Sequence, residues 1–101
     1  MSLKAAFLFL SPQANSLENK CLIKTPDVEL HVIGCKDYKD ACEVAKKLLM
    51  ENIAAIELCG GFGNLGTAEI VKAVENKIPV GVVRFDIHPG LNNSGGDQLF
   101  M

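Results

Sequence analysis

The sequence predicts an α/β fold: a single domain with an open, mainly parallel sheet of about four strands and flanking helices, in the manner of Rossmann-like or flavodoxin-like βαβ units. Three observations predict it. Apolar runs near 4–10, 28–33, 53–59 and 80–86 have the length and continuity of strands. Segments 37–51 and 65–75 carry apolar residues at helical spacing and separate the last three runs. The resulting order, strand, helix, strand, helix, strand, builds parallel sheets with right-handed crossovers.

Lys4-Ala-Ala-Phe-Leu-Phe-Leu10, stopped by Ser11-Pro12, reads as a central strand covered on both faces. Residues 13–27 stay open between two readings. Ser16-Leu17-Glu18-Asn19 fits the start of a short helix, whereas Cys21-Leu-Ile-Lys-Thr25 before Pro26 fits a short strand. Val28 to Ile33 alternates as a strand ending at Gly34, with Glu29 and His31 in one parity. Asp37 is placed to cap a helix, with Asp40 three residues on. Tyr38, Ala41, Cys42, Ala45, Leu48 and Leu49 form its inner face, and Asn52 is its stop. Ile53 to Cys59 is the next strand. The second helix sets Leu65, Ala68, Val71 and Val74 inward and ends at Asn76. After Pro79 comes Val80-Gly-Val-Val-Arg-Phe-Asp86, a last strand with polar residues at its carboxyl end. Residues 87–101, with Pro89, Gly90, Asn92, Asn93, Gly95 and Gly96, read as a C-terminal loop or arm of the 1–101 domain.

Composition narrows the classes of partner. A chain of 101 residues with 49% hydrophobic and 22% charged side chains is not disordered. It carries more apolar surface than a small monomer easily hides, so a homo-oligomer is expected. No apolar run approaches the roughly 20 residues that span a bilayer, so no membrane partner is expected. A net charge of −2 without a Lys/Arg cluster argues against nucleic acid. Cys21, Cys35, Cys42 and Cys59 form no C-x-x-C pair and no zinc spacing, which fits reduced, mostly buried thiols in a cytoplasmic protein and predicts no metal site.

Chemistry concentrates between Ala54 and Thr67, where a buried strand breaks into a glycine-rich turn and then a helix. Gly60, Gly61, Gly63 and Gly66 allow positive φ and close approach, and the helix start leaves N–H groups free for an anion. Phe62, Asn64 and Thr67 complete the candidate ligand-binding set with Arg84. Gly61-x-Gly63-x-x-Gly66 also matches a dinucleotide fingerprint, with Asp86 placed 20 residues on for a ribose. Thr67 after Gly66, where a Walker A loop needs Lys, excludes that motif. Glu57 and Cys59 share parity in one strand, and Arg84, Asp86 and His88 in the next, so one rim at the carboxyl ends of the strands gathers all five. Glu57, Cys59, Asp86 and His88 are the candidate catalytic residues. Arg84 is equally suited to a structural ion pair with Glu57. Cys59 with His88 as base has the makings of a nucleophile pair, weighed against a small buried thiol.

The blocks Ile56-Glu-Leu-Cys-Gly-Gly-Phe-Gly63 and Val80-Gly-Val-Val-Arg-Phe-Asp-Ile-His-Pro-Gly90 resemble a family of short prokaryotic proteins described only as a domain of unknown function. The resemblance runs from Lys4-Ala-Ala-Phe through Glu29-Leu and the Tyr38 helix to the tail Ser94-Gly-Gly-Asp97, which commonly reads Ser-Gly-Asp in the family. It implies a compact α/β domain with a shared site around Glu57, the glycine turn, Arg84, Asp86 and His88. It implies no activity and no cofactor.

The leading functional expectation is therefore a small-molecule domain that binds or transforms an anionic metabolite, with enzymatic activity left open. The alternatives are a non-enzymatic homo-oligomeric assembly or regulatory protein, its C-terminal arm docking on a neighbour, and a dinucleotide-binding protein.

Overall fold

The polypeptide starts in the middle of its sheet. In the computed structural model, which describes residues 2–101, β1 (Leu3–Leu10) lies between β3 (Val28–Cys35) and β4 (Ala55–Leu58), parallel to both. β2 (Lys20–Lys24) pairs antiparallel with β3, and β5 (Val80–Val82) pairs parallel with β4. The order is β2-β3-β1-β4-β5, five strands where the sequence predicts about four. The extra strand is the strand reading of Cys21 to Thr25, shifted by one residue to Lys20–Lys24. It forms because Thr25-Pro26-Asp27 turns the chain back, with Thr25 Oγ1 accepting from the backbone N–H groups of Asp27 and Val28.

Helix α1 (Tyr38–Met50) starts where Asp37 accepts from the Asp40 backbone N–H at 2.8 Å, and it stops at Asn52, whose φ of 61° is left-handed. Helix α2 (Asn64–Ala73) ends the same way before Asn76, with φ 58°. The last strand is shorter than its apolar run. Only Val80 to Val82 form the strand, and residues 83–87 continue as exposed, irregular chain to His88, which is half-buried and bridged to Ser94. The C-terminal arm holds a single 3₁₀ turn at Pro89–Leu91 and the five-residue helix α3 (Gly96–Phe100).

Both crossovers, β3-α1-β4 and β4-α2-β5, step across the sheet in the same direction. Right-handed connections of that kind put both helices on one face. The core lies there: Ala6, Leu8, Ile33, Cys35, Ile56 and Leu58 of the sheet pack under Tyr38, Ala41, Val44, Ala45, Leu48, Ile70 and Val74 of the helices. The expectation that β1 is covered on both faces is corrected. The opposite parity, containing Phe7, Phe9, Ile23, Val28, Leu30, Val32 and Ala55, meets no helix and, apart from the small residues Ala5 and Gly34, remains half-buried or exposed.

Candidate functional site

The glycine turn sits at the carboxyl end of β4, where the Leu58 strand gives way to α2. Among the described residues none of its glycines takes a positive φ. Their role is close approach instead. A Cβ at Gly66 would enter the Tyr38 ring, one at Gly60 the Phe85 ring, and one at Gly63 would lie 2.6 Å from the Asp97 carboxylate. Gly96 of α3 in turn packs against the Gly61 carbonyl. The turn is thus pressed between α1, the 83–88 segment and the C-terminal helix.

The unpaired N–H groups at the start of α2 are already used. Gly63, the N-cap residue, has no side chain to offer. Asp97, more than thirty positions along the chain, takes over: its Oδ2 accepts from the Leu65 N–H at 2.9 Å and its Oδ1 from the Gly66 N–H at 3.0 Å. The Tyr38 hydroxyl donates to Asp97 Oδ1 at 2.7 Å and accepts from the Gly63 N–H at 2.9 Å. Tyr38 also stacks on Phe62 at 5.5 Å between ring centroids and borders Phe100 at 6.3 Å. Burial pushes the Asp97 carboxyl upward, but the bonds from Leu65, Tyr38 and Gly66 outweigh it and hold it below the ordinary range. Burial, with the Asp97 charge adding to it, pushes the Tyr38 hydroxyl up, so it remains a donor at neutral pH.

The other predicted residues divide between two places. Phe62 is core, 1% exposed. Thr67 Oγ1 donates back to the Gly63 carbonyl at 2.9 Å, and Asn64 is exposed as the first residue of α2. Cys59 Sγ accepts from the Gly61 N–H at 3.3 Å, inside the turn. Arg84 pairs with Asp86, Nε to Oδ1 at 3.0 Å, with both side chains more than two-thirds exposed, and so the expected Arg84 to Glu57 pair is replaced by a local one. His88 lies against the Phe85 ring at 4.4 Å between centroids, and its Nδ1 accepts from the Gly90 N–H at 2.9 Å. Among the described residues no hydrogen bond joins His88 to Cys59, and no group of three His, Cys, Asp or Glu side chains is positioned to hold a metal ion.

Glu57 stands apart from the turn. It points from β4 to the helix-free face, between Phe7 of β1 and Gly81 of β5, exposed and without an ion pair among the described residues. With Phe7, Gly81 and Val83 it bounds a shallow notch of about 320 Å³. A second concavity, about 300 Å³, lies on the helix side between β2 and α1, where Leu17, Leu22 and His31 face Val44 and Leu48.

Two residues central to this arrangement, Tyr38 and Asp97, lie outside the set the sequence suggests. Tyr38 has helical spacing and reads as core, which half of it is. Asp97 follows Ser94-Gly-Gly in a glycine-rich tail, and the only signal for it is the recurrence of that tail in the resemblance.

No helix among the described residues is long and apolar enough to cross a membrane. Comparison with curated proteins and with solved structures finds no match. The DUF6506 family, described as a family of unknown function, matches residues 3–98, nearly the whole length, and the chain belongs to that family.

Proposed function

We propose that this chain works as a homo-oligomer, pairing the helix-free face of its sheet with the same face of a second copy, and that its primary role is that of an assembly domain. The single observation carrying this reading is the bare face itself. Rows Ile23, Leu30, Ala5, Ala55 and Cys21, Val32, Phe7, Glu57, Gly81 run across neighbouring strands with one charged side chain between them. Strands rising about 3.3 Å per residue and spaced about 4.8 Å apart give a footprint of roughly 500 Å². Monomers seldom leave apolar patches beyond a few hundred Å². Two such faces stacked about 10 Å apart bury on the order of 1,000 Å² in total, about the least that a specific interface needs. The accessible surface, 6264 Å², is consistent with an uncovered face, since a compact monomer of 10.9 kDa has roughly 5,600 Å².

The test is sedimentation equilibrium on the wild type and on Ile23→Asp and Phe7→Glu. Ile23 is 51% exposed, so its replacement disturbs the monomer little. The expected result is a dimer that both variants dissolve into folded monomers. A wild type that stays monomeric at high micromolar concentration refutes the reading.

A second reading, an anionic metabolite held by the glycine turn, is favoured by the fact that the turn binds a carboxylate, that of Asp97. A free carboxylate, a phosphate or a dinucleotide pyrophosphate takes that place only when α3 lifts away. Cys59 lies within the turn; Arg84 and Asp86 lie on the exposed segment beyond β5, and His88 is half-buried at its end. Thermal shift of Asp97→Ala with phosphate, citrate and dinucleotides tests it: stabilisation of the variant above that of the wild type is expected, and equal or absent shifts remove it.

A further inference from the structure

We propose that the notch over Gly81, beside Glu57, is a binding site for a cationic group on an apolar body, an amine or a guanidinium. The proposal rests on the assembly reading for its enclosure and for the removal of the exposed Glu57 from water, and on the notch for its apolar contacts.

Gly81 has no reason of its own to be glycine. It takes no positive φ, and a Cβ built on it meets nothing within 4 Å. A glycine inside a strand weakens the strand and commonly marks the close approach of another group. Here its missing side chain opens the floor of a notch of about 320 Å³ whose sides are Phe7 and Val83. Val83 is 55% exposed, so its apolar surface is available to an incoming group.

Glu57 supplies the polarity. It is the one charged side chain among the strand residues that alternate onto this face. A carboxylate removed from water without a partner is costly. A second copy stacked on this face brings another Glu57 and no cation, so face-to-face pairing by itself leaves both carboxylates uncompensated. A cation entering the notch provides the charge-assisted bond to Glu57 that the chain lacks, and its apolar portion lies against Phe7 and Val83. An anionic ligand is disfavoured by the same carboxylate.

Benzylamine and its charge-opposed counterpart benzoate serve as probes in a ¹H–¹⁵N chemical-shift titration of the full chain. The expected result is a saturable shift with benzylamine centred on Phe7, Glu57, Gly81 and Val83 and none with benzoate. Glu57→Gln should weaken it about tenfold or more, the worth of one charge-assisted hydrogen bond. Gly81→Val, whose Cβ meets nothing within 4 Å and whose methyls occupy the notch, should abolish it in a folded protein. Equal response to both probes, or binding that survives Glu57→Gln, overturns the proposal. Sedimentation of the same samples separates the two readings: a dimer that ignores benzylamine overturns the notch alone, whereas a monomer that binds it through Glu57 supports the notch and removes the assembly.

Discussion

Replacing Asp97 with Asn tests whether the C-terminal arm is a structural part of the fold. The change keeps the size and removes the charge, and it sets an amide NH₂ where one of the two backbone donors of α2 now points. One N-cap interaction is worth about 0.5–2 kcal/mol, and a hydrogen bond to a charged group about 1.5–3 kcal/mol. Leu65 at the start of α2 is exposed and recovers part of the loss from water, so the expected cost at pH 7 is about 2 kcal/mol. For a domain of this size that lowers Tm by roughly 10 °C. The sign with pH follows from the direction of the shift. The folded carboxyl lies below its unfolded value. Its stabilisation is therefore fully present above about pH 4 and is lost as pH falls through the folded value. Urea unfolding followed by circular dichroism between pH 7 and pH 2.5 should show wild type and Asp97→Asn converging at the acid end. A difference at pH 7 below about 0.5 kcal/mol, or one that persists unchanged into acid, refutes the capping role.

Two further outcomes follow from the packing. Gly66→Ala drives a methyl into the Tyr38 ring and should cost about 1–3 kcal/mol as overpacking. Gly81→Ala, facing open space, should be neutral or slightly stabilising in the same thermal melts; equal effects at the two sites contradict the close-approach argument. Thiol labelling should discriminate among the cysteines. Burial first, then the negative charges of Asp40, Cys59 and Asp37, push Cys35 up to about 12, whereas Cys21 lies exposed on β2. Timed alkylation at pH 8 read by mass spectrometry should mark Cys21 in the native state and Cys35 only after unfolding, and similar rates at both would contradict the burial of Cys35.

The glycine turn shows what spacing can and cannot reveal. Gly61-x-Gly63-x-x-Gly66 lies between a strand and a helix, as the pattern requires, and its free N–H groups do hold an anion. That the anion is a side chain of the same molecule has no local signature, because the pairing spans 31 residues between Gly66 and Asp97. Glu57 shows the converse. In sequence it sits between Ile56 and Leu58 and reads as a buried charge in want of Arg84. Alternation across a sheet with one open face puts it in solvent, and Arg84 finds Asp86 two residues away. Residues 13–27 read two ways for a related reason: the short edge strand within them owes its existence to pairing with β3 rather than to its own pattern.

The sequence by itself determined what depends on neighbours along the chain. The amphipathic period of α1, its Asp37 cap, the left-handed Asn52 and Asn76 stops and the positions of the main strands all rest on local backbone chemistry and on side-chain spacing. Only the tertiary structure decided which face of the sheet is covered and which carboxylate caps α2. Both depend on where distant segments meet: two crossovers that step the same way leave one apolar face without a partner, and a folded-back tail brings Asp97 to donors that its own neighbours do not provide.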